Sequence, residues 1–82
     1  MSAHPQLPHV LRIGRRERIN VADLADASHA YQDARDESGE GASTFPEGRI
    51  DIGGKAYRIS YNGRVWAGTS YVAGEPCIME AQ

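Results

Sequence analysis

The sequence predicts an α+β domain in which one helix packs across a small antiparallel sheet, in the order β-β-α-β-β-β. Apolar residues recur at helical spacing over residues 21–37. The second half contains two dipeptides typical of tight hairpin turns, Gly53-Gly54 and Asn62-Gly63. The 82 residues are too few to bury more than one hydrophobic core.

The first two strands are predicted to form a hairpin that begins near His9. Residues 10–13 are rich in strand-forming side chains, and Gly14 and Arg15 favour a tight turn. Residues 16–19 then predict a short returning strand, although the sequence leaves its existence open.

The helix is predicted over residues 21–37. Asn20 is the expected N-cap, with Asp23 completing a capping-box-like pair three residues on. Gly39 or Gly41 ends the helix by accepting a left-handed conformation. One stripe of the helix is expected to face the sheet: Val21, Leu24, Ala25, Ser28 and Tyr31, with Ala27 and Ala34 at its edge.

A loop over residues 38–48 leads to the second half, and Phe45 is its expected anchor in the core. A meander follows, with strands over residues 49–52, 55–61 and 64–67 joined by two-residue turns.

Two-residue turns set the expected register of the meander. They place Ile50 opposite Tyr57, Ile59 opposite Trp66, and Tyr61 opposite Arg64. One face is then apolar: Ile50, Ile52, Tyr57, Ile59, Tyr61 and Trp66. The other face is polar: Arg49, Asp51, Ala56, Arg58, Ser60, Val65 and Ala67. The expected register places Arg49 opposite Arg58 on this polar face. This pair of like charges is unfavourable unless Asp51 forms a diagonal ion pair or the first turn is wider.

The chain divides into three predicted parts. Residues 1–8 contain two prolines and no periodicity, which is typical of a flexible leader. Residues 9–68 form the domain. Residues 69–82 form a tail whose apolar side chains favour docking, either on the domain or on a second copy of the chain. Exposed sheet edges and this tail also allow a weak homodimer to form.

The net charge of −2 is a cancellation between segments. Residues 1–20 hold four arginines against one glutamate, residues 21–47 hold one arginine against seven acidic residues, and residues 48–82 hold four basic and three acidic residues. A wholly basic nucleic-acid binder and a wholly acidic DNA mimic are both disfavoured, and either sign of partner is allowed on a different face.

Protein recognition is the leading functional prediction. It rests on the acidic outer side of the helix, which can steer a basic partner, although such faces are also ordinary solvated surfaces. We refer to these carboxylates as the acidic helix face: Asp23, Asp26, Asp33 and Glu37.

Nucleic-acid binding is the alternative prediction. Basic side chains occur on both the first hairpin and the meander, and Tyr61 beside the Asn-Gly turn is a candidate for base stacking. The plainer interpretation is that the arginines keep a sheet edge soluble. The candidate basic residues are Arg12, Arg15, Arg16, Arg18, Arg58 and Arg64.

Catalysis, cofactors and metals are not expected. No motif pairs a nucleophile with a base, and the glycines match no phosphate-binding loop. Asp26, His29 and Asp33 share one helix side, but a solvated face is a better interpretation than a metal site. Cys77 is the single cysteine, and no apolar run approaches the roughly 20 residues of a membrane span. A cytoplasmic location is therefore expected.

Two sequence blocks, together with the helix before them, resemble those of a known group of proteins. The block Gly-Ala-Ser-Thr-Phe-Pro-Glu-Gly-Arg-Ile at residues 41–50 and the block Tyr-Arg-Ile-Ser-Tyr-Asn-Gly-Arg-Val-Trp at residues 57–66 follow the alanine-rich helix. This arrangement resembles a group of small bacterial proteins of unassigned function that occur in chromosomes, plasmids and phages. The resemblance covers roughly residues 20–66 and implies a bacterial or phage cytoplasmic setting and no catalytic activity. Together with the acidic helix face, it leads to the prediction of a bacterial or mobile-element protein-interaction module. The first hairpin is shorter here than in that group.

Overall fold

A computed structural model describes residues 8–15, 17–68 and 74–82. The α+β prediction is confirmed, because the described residues form one helix and five strands in the expected order. The strands form a single antiparallel sheet in the spatial order β2-β1-β3-β4-β5. The elements are β1 (His9–Ile13), β2 (Glu17–Val21), α1 (Leu24–Ser38), β3 (Gly48–Ile52), β4 (Lys55–Ile59) and β5 (Val65–Ala67).

The core lies between α1 and one face of the sheet. From the helix, Ala27, Ser28 and Tyr31 are buried. From the sheet and its loops, the buried apolar residues are Leu11, Ile13, Val21, Phe45, Ile50, Ile59 and Val65. Side chains alternate along a strand, so the strand residues between the buried ones point to the side of the sheet away from the helix. We call this side of the sheet the open face.

The helix begins later than predicted. Val21 is the last residue of β2, where it is buried and pairs with His9, so it does not belong to the helix. The N-cap is Asp23 rather than Asn20, because the Asp23 side chain accepts a 2.8 Å hydrogen bond from the Asp26 amide. Asp26 in turn accepts at 2.8 Å from the amide of Ala22, the residue before the N-cap, in a variant of the capping box.

The loop after the helix is anchored as predicted. Gly39 ends α1 with a left-handed φ of 70°. Phe45 is 5% exposed and packs against Tyr31, with ring centroids 5.5 Å apart. The Tyr31 hydroxyl donates to the Pro46 carbonyl at 2.9 Å, which fixes the loop where it enters β3.

The first turn of the meander is the expected two-residue turn. Ile52 pairs with Lys55 across Gly53-Gly54, and Ile50 pairs with Tyr57. The predicted pairing of β3 with β4 is therefore correct.

The second turn is wider than predicted. The Gly63 amide donates to the Ser60 carbonyl at 2.8 Å, and the Ser60 amide donates to the Arg64 carbonyl at 2.9 Å. Residues 61–63 thus form a three-residue loop, with Gly63 in the left-handed region at a φ of 91°.

This one extra residue reverses the faces of β5. Val65 pairs with Ile59 and is fully buried, whereas Trp66 pairs with Arg58 on the open face. The predicted pairs Ile59–Trp66 and Tyr61–Arg64 are wrong, and so is the placement of Trp66 in the core. Tyr61 lies in the turn, half-buried, and does not occupy a strand.

The C-terminal segment over residues 74–82 lies along the edge of β5. Val65 and Met79 form an antiparallel bridge, in which the Val65 amide donates to the Met79 carbonyl at 2.9 Å. The last residue reaches the helix, where the Gln82 amide donates to Ser28 Oγ at 3.1 Å. Most of the expected leader, Arg16 and residues 69–73 lie outside the described residues.

Candidate functional site

The open face carries four arginines at directly opposed positions on four neighbouring strands. Arg18 pairs with Arg12, Arg12 with Arg49, and Arg49 with Arg58, while Trp66 follows on β5. We call these four residues the arginine row. Since neighbouring strands lie about 4.8 Å apart, the row extends roughly 14 Å across the sheet.

The arginine row is electrostatically unfavourable in the isolated chain. Like charges directly opposite each other on antiparallel strands destabilise the sheet. Asp51 lies diagonally beside Arg12, with 3.4 Å between Arg12 Nη2 and Asp51 Oδ2. In the described part of the chain, Arg18 and Arg49 form no ion pair. Two exposed arginines therefore lie on the open face with no carboxylate of the described residues in ion-pair contact.

The two ends of the row differ in exposure. Arg58 is only 3% exposed, and its guanidinium lies 5.4 Å from the centroid of the Trp66 ring. It donates to the Ala67 carbonyl at 3.2 Å and lies 3.8 Å from Glu75 Oε1. Arg58 is thus held by protein groups, and the accessible charge of the row belongs to Arg18, Arg12 and Arg49.

A cavity of about 370 Å³ opens beside the middle of the row. It lies between β1 and β3, where the two strands separate after the pair Ile13–Gly48. Its lining residues are Arg12, Gly14, Pro46, Glu47 and Arg49.

Among the described residues, the predicted basic residues Arg15 and Arg64 do not join the row. Arg15 lies exposed in the β1–β2 turn, and Arg16 lies outside the described residues. Arg64 is paired with Glu80, with 3.0 Å between Arg64 Nε and Glu80 Oε1.

Tyr61 is held by neighbouring groups rather than presented for stacking. Its hydroxyl donates to the Glu40 carbonyl at 2.7 Å, and the Arg35 guanidinium lies 5.5 Å from its ring centroid. Arg49 was predicted as one of the basic residues of the meander, opposite Arg58, but it was not selected among the candidate binding residues. It belongs to the row because β3 also pairs with β1.

The acidic helix face has a partly structural role. Asp23 and Asp26 satisfy backbone amides at the start of α1. His29 Nε2 lies 3.4 Å from Asp33 Oδ2, and Glu37 is exposed. Half of the predicted protein-binding carboxylates are therefore used to cap the helix.

Comparisons with known proteins assign this chain to no family. No family model matches it, and neither the curated proteins nor the solved structures contain a match. The resemblance to small bacterial and mobile-element proteins stays a prediction.

The remaining titratable groups of the described residues bear on two other kinds of site, a metal-binding cluster and an activated cysteine. Within residues 8–15, 17–68 and 74–82, no three His, Cys, Asp or Glu side chains are grouped to hold a metal ion. A hydrogen bond to the Glu80 carboxylate raises the pKa of the Cys77 thiol, which disfavours the nucleophilic thiolate. Across the same described residues, no helix combines the length and the apolar character needed to cross a membrane.

Proposed function

We propose that this chain binds single-stranded nucleic acid across the open face of its sheet, with phosphates on the arginine row. The observation that carries the proposal is the register of Arg18, Arg12 and Arg49 on three adjacent strands. The three side chains start from strands about 4.8 Å apart and lie on one face of the sheet. A phosphate backbone is a ligand whose repeating negative charge matches such a row.

The unfavourable energy of the row supports a functional role. If the arginines served only to keep a sheet edge soluble, they would be expected on the edge strands. Arg12 and Arg49 instead lie on interior strands, where each has a like charge on both neighbours. Binding a polyanion would remove this repulsion and release condensed counterions.

The shape of the face favours a single strand over a duplex. The major groove of a duplex admits an α-helix or a two-stranded ribbon. Here the helix lies on the opposite side of the sheet, and the basic residues run across a five-stranded sheet. An extended strand can lie on such a surface, as in other sheet-based binders of single strands.

The charge of the helix side is compatible with this orientation. Asp33 and Glu37 are exposed on α1, on the side of the molecule away from the arginine row. These carboxylates repel phosphates and therefore favour approach from the open face. Recognition of a protein partner by the acidic helix face stays a prediction.

Fluorescence anisotropy with a labelled 12-nucleotide single strand of mixed sequence tests the proposal. The variants are Arg18→Gln and Arg49→Gln, and the matched control is Lys55→Gln, an exposed basic residue outside the row. At 50 mM salt, we expect each row variant to weaken binding by roughly two- to fivefold, as the loss of a surface charge contact allows. We expect Lys55→Gln to bind like the wild type.

Two further ligands define the specificity of the proposed site. A duplex of the same sequence and a polyglutamate of matched charge should each bind more weakly than the single strand. Equal binding of polyglutamate would show a general polyanion surface and contradict the proposal. Unchanged affinity of both row variants, with circular dichroism like the wild type, would also contradict it.

A further inference from the structure

We propose that the cavity beside the arginine row binds one nucleotide and selects a base that carries an exocyclic amino group. The inference rests on the proposed single-strand binding and adds a base preference to it. Arg12 and Arg49 would hold the phosphate, and the Glu47 carboxylate would accept a hydrogen bond from the amino group.

The register explains why a cavity forms at this position. Arg12 lies opposite Arg49, and Gly14, two residues after Arg12, and Glu47, two residues before Arg49, line the cavity with them. Pairing of β1 with β3 ends before these two residues, so the strands separate there. Gly14 and Pro46 form one wall of the resulting cavity, and its volume of about 370 Å³ lies within the range of small-ligand pockets.

The absence of a side chain at Gly14 is a steric requirement of this packing. Its φ of 56° lies in the left-handed region, which favours glycine. A Cβ atom at this position would lie 2.8 Å from Pro46 Cγ. Any other residue would therefore displace Pro46, which lines the cavity.

The lining groups match different parts of one nucleotide. Two guanidinium groups from opposite strands suit a phosphate. The Pro46 ring provides an apolar surface for the face of a base. Glu47 is exposed at the cavity and carries acceptors only, so it repels phosphate and favours a donor.

Cytosine and thymine differ in the group that Glu47 would read. Cytosine presents its N4 amino group as a donor, whereas thymine presents the O4 acceptor at the same position. A carboxylate accepts from the first and repels the second. The cavity is therefore expected to favour cytosine over thymine.

Anisotropy with 12-nucleotide oligo-dC and oligo-dT at pH 8 tests this preference at equal length and charge. We expect the wild type to bind oligo-dC roughly tenfold more tightly, as one good base contact provides. Glu47→Gln should bring the two affinities within about twofold, because an amide both donates and accepts. Glu37→Gln, which makes the same charge change on the helix, should keep the tenfold preference.

The outcomes separate this inference from the proposed function. If oligo-dC and oligo-dT bind equally well to the wild type, the nucleotide site is wrong while single-strand binding stands. A preference that survives Glu47→Gln would also overturn the role of Glu47. Failure of both oligonucleotides to bind would contradict the proposed function itself.

Discussion

Arg49→Thr should stabilise the folded chain while weakening its binding to nucleic acid. Arg49 lies between Arg12 and Arg58, so the substitution removes two like-charge pairs. Each such pair costs about 0.2–1 kcal/mol, and the nearby carboxylates of Asp51 and Glu75 place both pairs in the lower part of that range. With the better strand propensity of threonine, we expect a gain of about 0.7 kcal/mol.

A gain of this size is measurable by two methods. In a chain of this length it corresponds to a rise in Tm of roughly 3–6 °C. Urea unfolding can be followed by the fluorescence of Trp66, the single tryptophan. The electrostatic part of the gain should be present at 10 mM salt and absent at 1 M salt, because the Debye length falls from about 30 Å to about 3 Å.

Lys55→Thr is the matched control for this experiment. Lys55 is an exposed strand residue that pairs with Ile52, so it has no like charge opposite it. The salt-dependent difference between the two variants isolates the repulsion within the row. A loss of stability in Arg49→Thr at low salt, or a gain identical at 10 mM and 1 M salt, would refute the reasoning.

Three further predictions concern the helix that supports the sheet. Asp23→Ala should lower the free energy of unfolding, measured in urea, by about 1 kcal/mol, because the N-cap is lost. Asp33→Ala, the control, should change it by less than about 0.5 kcal/mol. Equal effects of the two substitutions would contradict the capping role of Asp23. Ser28→Ala should cost about 1–3 kcal/mol in the same assay, because the buried hydroxyl donates to the Gly63 carbonyl at 2.7 Å; a neutral result would show that this carbonyl finds another donor. Burial raises the pKa of Tyr31 from 10.0 to about 12, so the free energy of unfolding should fall as pH rises from 10 to 12. Tyr31→Phe should lack the part of this fall that comes from Tyr31. Identical pH profiles of the wild type and Tyr31→Phe would contradict the assignment of the fall to Tyr31.

Two parts of the fold that depend on residues adjacent in the sequence were predictable. The Gly53-Gly54 turn and the helix end at Gly39 both follow from the conformations that glycine permits. The helix start was shifted because Asn20 and Asp23 are both good N-caps, and pairing of β2 with β1 extends the strand to Val21. Local propensity alone does not include that pairing.

The faces of β5 could not be fixed from the sequence. Asn62-Gly63 suits a two-residue turn and also a three-residue loop that ends on a left-handed glycine. The two loops differ by one residue of register, which exchanges Val65 and Trp66 between the faces. The buried position of Arg58 under Trp66 is a consequence of this exchange.

The candidate site depends on a long-range contact that no local pattern encodes. The pairing of β1 with β3 joins the first hairpin to the meander across the intervening helix. Only this pairing sets Arg12 against Arg49 and opens the adjacent cavity. Arg12 and Arg18 were identified as candidates from the sequence. Their alignment with Arg49 in one row depends on the order of the strands in the sheet.

The salt dependence of single-strand binding tests the central claim most directly. If the accessible charges of Arg12, Arg18 and Arg49 contact phosphates, a plot of the logarithm of the association constant against the logarithm of the salt concentration should have a slope of about −2. Replacing all three with glutamine should bring the slope close to zero. A slope that is the same in the wild type and the triple variant would contradict the claim that the arginine row binds the phosphate backbone.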